Sequence, residues 1–345
     1  MVTRIPPRNE ARLPTWNLIV GGIEVEKQPY LVRLCAMLLF AAAILPTATS
    51  AQFVSGLQGG AGSTIGPGGD IFVTEGVVGR VSRVDPRDGT VSTFAEGLPP
   101  LVPFVGIGGA VDVAFIGETG YVLVTLLSPF GAGIDGVYRI DGPNSFTVIA
   151  DLGAWSVANP PNTNYFIPSG VQWSIEEYRG GLLVSDGHHN RILRVTKDGE
   201  ISEFQTFGNV VPTGMDVSGN TIYLARTGPV PHLPEDGQVV SIDSHSHDVQ
   251  LEASGAPLLL DVEFGRGRSL FALSQGEWNG QMEGSSAIPF DGALWEVNGD
   301  GSLRLIEDNI NLPNSVEIIG NDAYVVTLAG DIWRIEDIAS APFGR

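Results

Sequence analysis

The sequence predicts an all-β fold, a six-bladed β-propeller whose blades are four-stranded antiparallel sheets. Two sets of recurring segments carry this prediction. A short apolar segment ending in Thr, Ser or Ala recurs at residues 71–74, 122–125, 182–185, 222–225, 271–274 and 324–327. A second strand-like segment, often with Arg, follows at residues 79–85, 136–141, 190–195, 237–243, 292–297 and 330–335. Repeats of roughly 40 to 60 residues cannot bury their own faces, and six of them arranged radially leave no long exposed edge.

The composition agrees with this fold class. Apolar residues make up 43% of the 345 residues, enough for a large core, and 45 Gly and 23 Pro supply the turns that many short strands need. Outside the N-terminus no long window has the 3.6-residue period of an amphipathic helix. The even spread of the repeat therefore predicts one closed propeller domain over residues 52–345.

Each blade is expected to run from an innermost strand to an outermost one. The predicted inner strands are residues 63–65, 112–115, 170–173, 214–217, 261–264 and 315–318. Gly and Asn turns such as 219–220 and 320–322 join them to the apolar segments, because these residues tolerate the positive φ of tight hairpins. The predicted outer strands are residues 90–94, 146–150, 200–204, 249–253 and 302–307.

The sixth repeat ends without an outer strand of its own. Residues 52–57 read Gln-Phe-Val-Ser-Gly-Leu and are predicted to supply that strand from the N-terminal side. Such a strand closes the ring and covers two sheet edges that would otherwise be exposed.

The N-terminal region is predicted to be a secretory signal. Residues 34–45 are uninterruptedly apolar, follow Arg33 and precede small residues, but are too short to span a bilayer core of about 30 Å. Cleavage after Ala51 is expected, so residues 1–51 are removed and the mature chain is secreted or periplasmic, with no membrane span. The single cysteine, Cys35, lies inside this segment, and the mature protein is therefore expected to have neither a thiol nor a disulfide.

The formal net charge of −20 restricts the partners. Such a field repels phosphate backbones and anionic lipid surfaces, so nucleic acid and membrane surfaces are not expected partners. Cations, sugars and proteins stay open as ligands. The mature chain is expected to be a monomer.

Several segments resemble known propeller families. Residues 168–171, 181–186 and 190–195 resemble the NHL repeat and the SMP-30/gluconolactonase type of propeller. Residues 53–57 and 69–75 resemble the start of the exported ScyD/ScyE family, known from scytonemin pigment clusters in cyanobacteria. The likeness covers roughly residues 52–338 and implies the fold and export more than any one activity.

The gluconolactonase resemblance implies a metal centre with particular ligands. That family places a Glu at the start of the first inner strand and an Asn in a Pro-Asn-Gly turn of a later one. Residues 62–65, 168–170 and 212–214 occupy the corresponding stretches and contain neither. The sequence therefore does not predict an inherited lactonase centre.

Long loops on one face of the propeller are the predicted ligand site. The connections 127–135, 226–236 and 275–291 and the interblade segments 97–109 and 153–168 share this face, and loops on a rigid scaffold often carry recognition. Their aromatic residues are Phe104, Phe130, Trp155, Tyr165, Phe166 and Trp278. The predicted contacts to a small molecule, carbohydrate or protein ligand are Glu75, Trp155, Tyr165, His188, Arg226, Glu277 and Trp278. The alternative is that these aromatic residues only pack their own loops.

The inner strands are unusually acidic. Their candidate metal ligands are Asp112, Asp216, Asp261, Glu263 and Glu317. Carboxylates around one axis repel unless a cation or a proton relieves them, and Ca²⁺ or another divalent cation prefers such oxygen ligands. The alternative is a water-filled channel lined by solvated acids, with no cofactor.

The preferred function is therefore a binding module without chemistry of its own. Asp186 and Arg191 are interpreted as a structural pair that ties two strands together, and the GxGxxG match at residues 131–136 lacks the strand-to-helix context that gives this motif meaning. The alternative function is a metal-assisted hydrolase or lactonase that uses the channel carboxylates, with His188 as base. No catalytic residue is assigned.

Overall fold

A computed structural model describes residues 49–339, which form six four-stranded antiparallel sheets. The predicted fold class, a six-bladed β-propeller, is confirmed. The predicted signal segment, residues 34–45, lies outside the described residues, and the domain boundary after Ala51 stays a prediction.

The first three blades follow one another along the chain, each from its inner to its outer strand. Blade one contains β2 (Gly60–Ile65), β3 (Ile71–Glu75), β4 (Arg80–Val84) and β5 (Val91–Glu96). Blade two contains β6 (Gly109–Ile116), β7 (Thr119–Thr125), β8 (Gly136–Gly142) and β9 (Ser145–Asp151). Blade three contains β10 (Gln172–Tyr178), β11 (Gly181–Asp186), β12 (Arg191–Val195) and β13 (Ile201–Thr206).

The next three blades repeat this order, except that the last takes its outer strand from the N-terminal side. Blade four contains β14 (Pro212–Ser218), β15 (Thr221–Arg226), β16 (Gln238–Asp243) and β17 (Val249–Ser254). Blade five contains β18 (Leu259–Phe264), β19 (Leu270–Ser274), β20 (Gly292–Val297) and β21 (Leu303–Ile310). Blade six contains β22 (Pro313–Ile319), β23 (Asp322–Thr327), β24 (Ile332–Glu336) and β1 (Thr49–Val54).

The closing strand starts earlier than the sequence analysis predicted. β1 pairs antiparallel with β24, from Thr49 opposite Glu336 to Val54 opposite Ile332. The chain after β1 is fixed by Leu57, whose amide donates to the Gly330 carbonyl at 3.0 Å. The predicted range 52–57 thus covers the second half of the strand and the turn that follows it.

The core lies in the seams between neighbouring blades, because alternate residues of each strand point to opposite sides. In β3, Ile71 and Val73 pack towards blade six, whereas Phe72 packs towards Val122 and Val124 of blade two. Inner strands of successive blades contact each other in a closed cycle, with β22 meeting β2. The hydrophobic residues therefore stay between blades, and the axis is left to polar side chains.

Helical structure is limited to the loops of the described part. A short helix, α1 (Leu152–Ala158), follows blade two and is capped by Asp151, whose Oδ1 accepts from the Ala154 amide at 2.8 Å. Two single 3₁₀ turns lie at Ser128–Phe130 and Arg266–Arg268. No helix within residues 49–339 is long and apolar enough to cross a membrane.

Candidate functional site

The inner strands enclose a central channel of about 220 Å³. Six acidic side chains line it: Asp112, Glu176, Asp216, Asp261, Glu263 and Glu317. They lie near the middle of their strands, and no Lys, Arg or His is among the described residues that line the cavity. The five carboxyl groups predicted from the sequence are thus brought to one place, together with a sixth.

The three aspartates hold neighbouring blades together. Oδ1 of Asp112 accepts from the Val113 amide at 2.9 Å, and Oδ2 accepts from the Ile175 amide of blade three at 2.8 Å. Asp261 repeats this arrangement with Val262 at 3.0 Å and with Val316 of blade six at 2.9 Å. These carboxyl groups therefore satisfy backbone amides at the bulges where the inner strands lose their regular pairing.

Asp216 makes the same kind of link between blades four and five. Its two carboxyl oxygens accept from the Val217 amide at 2.6 Å and from the Phe264 amide at 3.0 Å. Each of the three aspartates accepts one hydrogen bond from an amide of its own strand and one from an amide of the next blade. The acidic lining is therefore partly a structural feature of the propeller axis.

Two glycines leave room for these carboxyl groups. A Cβ on Gly62 would lie 2.1 Å from Oδ1 of Asp112, and a Cβ on Gly214 would lie 2.2 Å from Oδ1 of Asp261. Any other residue at these positions would collide with the next blade's aspartate. The sequence pairs glycine in one blade with aspartate in the next for this steric reason.

Burial raises the pKa of every one of the six carboxyl groups. It raises the pKa of Asp261 to about 7, because desolvation outweighs the hydrogen bonds from Val316 and Val262 that favour the charged form. Burial and the neighbouring carboxyl groups raise the pKa of Glu176, Glu263 and Glu317 well above the usual range. The raised pKa values extend the pH range in which these carboxyl groups keep a proton, and a protonated carboxyl group can donate as well as accept hydrogen bonds.

The channel contains the oxygen donors that the metal prediction requires, but these donors are not arranged as a cluster of metal ligands. Within residues 49–339 no group of three or more His, Cys, Asp or Glu side chains is arranged to hold a metal ion. Glu317 instead accepts from Ser63 Oγ at 3.1 Å, and that serine lies 2.6 Å from Ser315 Oγ. Calcium binding by the acidic side chains stays a prediction.

Asn314 is a further channel residue, and the sequence analysis missed it. Its side chain lines the cavity, is 8% exposed and makes no hydrogen bond within the described residues. Its amide nitrogen and oxygen are not fully buried, so they are accessible from the channel. Asn314 therefore presents unused hydrogen-bonding capacity to the channel.

Glu176 was missed because the inner strand of blade three was placed too early. The predicted inner strand ends at Trp173, whereas β10 extends to Tyr178. The bulge between Gln172 and Ile175 interrupts the alternation that would have revealed the longer strand. The acidic pair Glu176 and Glu177 was the available signal.

On the loop face, Glu75 lies in a structural ion pair. Its side chain is fully buried and accepts two hydrogen bonds from Arg80, both at 2.7 Å, and one from the Gln58 amide at 2.6 Å. Burial alone would raise the pKa of Glu75, but the hydrogen bonds from Arg80, Ser82 and Gln58 outweigh it and hold the pKa below its ordinary value. Both carboxylate oxygens of Glu75 therefore already accept hydrogen bonds from groups of the protein itself.

Trp155 belongs to a second buried network, centred on Arg191. The Arg191 guanidinium is fully buried, lies 3.2 Å from Asp186 Oδ2 and stacks 4.9 Å from the Trp155 ring centroid. It also donates to Ser156 Oγ and to the Asn159 carbonyl, both on the segment that contains α1. The interpretation of Asp186 and Arg191 as a structural pair agrees with this geometry.

His188 accepts two hydrogen bonds from backbone amides, whereas the alternative hydrolase function needs this side chain as a free base. Its Nε2 lies 3.0 Å from the amides of both Phe166 and Ile167, and since amides only donate, Nε2 carries no proton. Burial, followed by the nearby His189, lowers the pKa of His188, so the imidazole is neutral. Tyr165, 41% exposed, packs edge-on against His189 at 5.2 Å.

The blade-five loop reaches across the ring. Trp278 pairs with Ala287 in a small hairpin and donates from Nε1 to Ser285 Oγ at 2.9 Å, while Glu277 is exposed beside it. A Cβ on Gly284 would lie 3.3 Å from Ile107, in the segment between blades one and two. These segments start from blades that are not neighbours, and they approach each other on the loop face of the propeller.

The seven predicted loop residues thus share a face but not a single site. Glu75 lies on blade one, and Trp155, Tyr165 and His188 lie around blade three. Arg226 lies beside Phe207 between blades three and four, and Glu277 and Trp278 lie in the blade-five loop. The exposed apolar side chains of this face are instead Phe104 at 79%, Met282 at 74%, Phe166 at 62% and Phe290 at 60%. Phe104 packs edge-on against Phe130 at 5.2 Å, so part of the predicted aromatic set does pack its own loops.

Comparison with known proteins supports the fold. No family model and no curated protein matches the sequence. Among solved structures, a gluconolactonase from Xanthomonas campestris is similar with a TM-score of 0.60 and 12% identity, covering 84% of this chain and 89% of that one. Virginiamycin B lyase from Staphylococcus aureus is similar with a TM-score of 0.52 and 15% identity, covering 84% of this chain and 99% of that one.

A chain of the nidogen–laminin complex is also similar, with a TM-score of 0.51 and 14% identity, covering 74% of this chain and 84% of that one. At these identities the likeness concerns the fold, because six-bladed propellers carry many functions. The predicted likeness to gluconolactonase-type and NHL-type propellers is confirmed at that level.

Proposed function

We propose that this protein is an exported, acidic propeller of the ScyD/ScyE type that binds a small hydroxyl-rich ligand, such as a single sugar unit, at the loop-side mouth of its channel. The observation that carries the proposal is the channel lining: six carboxyl groups and the unpartnered amide of Asn314 face one cavity of about 220 Å³. Protonated carboxyl groups and an amide offer both donors and acceptors, which is the pattern that sugar hydroxyls match.

The loop face supports this proposal. The segment between blades one and two and the blade-five loop approach each other on this face and carry the exposed side chains of Phe104 and Met282. Apolar surfaces beside a polar cavity can stack on the carbon face of a sugar ring while its hydroxyls reach the acids. A binding role also agrees with Glu75 and His188, whose polar atoms are already engaged within the protein.

Saturation-transfer NMR with D-glucose, D-xylose and myo-inositol tests this function. We expect saturable binding of at least one probe, weakened tenfold or more by Asn314→Ala and by Phe104→Ala. Leu251→Ala is the matched control, because Leu251 is 61% exposed on the outer strand β17, away from the mouth. Failure of all three probes to bind, or equal binding by wild type and Asn314→Ala, contradicts the proposal.

The alternative function is a metal-assisted hydrolase of the gluconolactonase type, favoured by the channel position of Asn314 directly after Pro313. The donor chemistry suits a hard cation, but the acidic side chains do not converge on one point within the described residues, so we derive no catalytic step. Lactone hydrolysis measured with and without Ca²⁺ or Zn²⁺ tests it. Activity that disappears in Glu317→Gln or Asp261→Asn would replace the binding proposal.

Export is proposed from the sequence of residues 1–51. Cleavage after Ala51 would remove Thr49, Ser50 and Ala51, which pair with Glu336, Ile335 and Arg334 in blade six. N-terminal sequencing of the mature protein from the periplasm or the medium tests both export and the cleavage position. A mature chain that starts at Gln52 would shorten the closing strand but retain Val54, whose side chain is buried.

A further inference from the structure

Arg226 reverses a charge pattern of this fold. At the loop end of the second strand, blade one has Glu75 and blade three has Asp186, and each pairs with an Arg at the start of the third strand. In blade four the same position is Arg226, and the residue directly opposite in β16 is Gln238. The position therefore carries a positive charge, with no acidic partner across the strand pair.

The guanidinium of Arg226 is buried without a counter-ion. Arg226 is 8% exposed, and within residues 49–339 its guanidinium makes no hydrogen bond or ion pair; its Nε is buried without a partner. Burial lowers the pKa of Arg226 to about 10, with no carboxyl group acting against that effect. The side chain is therefore charged at neutral pH, and a buried charge is unfavourable unless it is paired.

The surroundings of Arg226 are fixed by hydrogen bonds. The guanidinium lies 4.5 Å from the ring centroid of Phe207, whose amide donates to the Asn190 carbonyl at 2.9 Å. Oδ1 of Asn190 accepts from the Val210 and Val211 amides at 2.8 and 2.9 Å. A rigid seam thus holds the cation in place before any ligand binds, which reduces the entropy cost of binding.

We propose that Arg226 anchors an oxyanion site at the loop end of the seam between blades three and four. The ligand group is a carboxylate or a phosphate, which matches the two-pronged donor geometry of a guanidinium, with the Gln238 carboxamide opposite as a second donor. This site is separate from the channel, because Arg226 is not among the described residues that line it. In a chain of net charge −20, anion binding requires such a local, pre-organised cation.

Thermal unfolding in increasing phosphate or acetate, at ionic strength held constant with NaCl, tests the site. We expect a saturable rise of Tm in wild type and in Arg194→Gln, and no rise in Arg226→Gln or Arg226→Met. Arg194 is the matched control, because its guanidinium also lies over an aromatic ring, Tyr178, at 5.6 Å, and its Nε is also buried without a partner, whereas its side chain is more exposed than that of Arg226. Without phosphate or acetate, Arg226→Met is expected to melt above wild type, since it removes an unpaired buried charge.

A response to either anion supports the site and identifies the preferred group. A Tm rise that does not saturate, or that is equal in wild type and both Arg226 variants, overturns the proposal, as does the lack of any rise in wild type. If Arg226→Met fails to fold, Arg226→Gln carries the comparison. Because sugar binding is measured separately with Asn314→Ala, failure of either proposal leaves the other intact.

Discussion

Replacing Asp261 with Asn is expected to change how the stability of the propeller depends on pH. The carboxyl pKa rises from an ordinary 3.8 to about 7 on folding, because burial disfavours the charged form. Between these values the folded state holds a proton that the unfolded state has lost, so stability falls as the pH rises. One pKa unit corresponds to about 1.4 kcal/mol, so Asp261 alone is expected to lower the free energy of unfolding by about 4 kcal/mol between pH 4 and pH 8.

The Asn variant does not titrate, so this loss is absent from it. Asn has one acceptor oxygen where Asp261 uses two, for the Val262 and Val316 amides, and this costs about 1–3 kcal/mol at every pH. Asp261→Asn is therefore expected to be less stable than wild type at pH 4. Relative to wild type it should gain about 4 kcal/mol by pH 8, which reverses the order of stability.

Urea unfolding followed by tryptophan fluorescence at several pH values between 4 and 8 measures this difference. Asp198→Asn is the control, because Asp198 lies exposed in the turn between β12 and β13 and makes no hydrogen bond or ion pair within the described residues. A stability difference between Asp261→Asn and wild type that stays constant over this pH range would show that Asp261 is not a desolvated acid, and would refute the reasoning.

The remaining predictions concern stability and are checked by the same urea unfolding. Arg191→Leu is expected to cost about 3–5 kcal/mol, since it leaves a buried carboxylate unpaired, whereas Arg87→Ala removes an exposed, solvent-screened pair and should cost far less; equal losses would contradict this. Gly62→Ala is expected to cost about 1–3 kcal/mol or more by collision with the next blade, whereas Gly299→Ala, with open space around it, should be nearly neutral. Leu57→Ala is expected to cost about 2–5 kcal/mol if β1 closes the ring, because this side chain is buried beside blade six; an unchanged midpoint would contradict closure.

Local patterns made the strands predictable. In β3 and its equivalents, consecutive apolar residues pack into two seams at once, so a short apolar run followed by Thr, Ser or Ala marks the second strand of every blade. The closing strand was predicted because the sixth repeat lacks an outer strand. The predicted start of this strand lies three residues after the observed start, because Thr49, Ser50 and Ala51 also fit the small-residue end of a signal segment.

Tertiary contacts decided what the site residues do. Glu75, His188 and Trp155 were predicted to face a ligand, yet hydrogen bonds or stacking within the protein engage each of them. The acidic inner strands were identified from the sequence, but their raised pKa values follow from burial around a common axis. Alternation along one strand could not show which carboxyl groups serve as interblade links.

The sequence by itself determined the propeller, its six repeats and the acidity of its inner strands, because strand period and turn chemistry are local properties. Only the tertiary structure decided which charges are paired, since partners such as Asp112 and Ile175 lie on different blades. Asn314 and the unpaired cation of Arg226 stand out only when the surroundings of each side chain are known. The physical reason is that desolvation and pairing depend on neighbours that are distant in the chain.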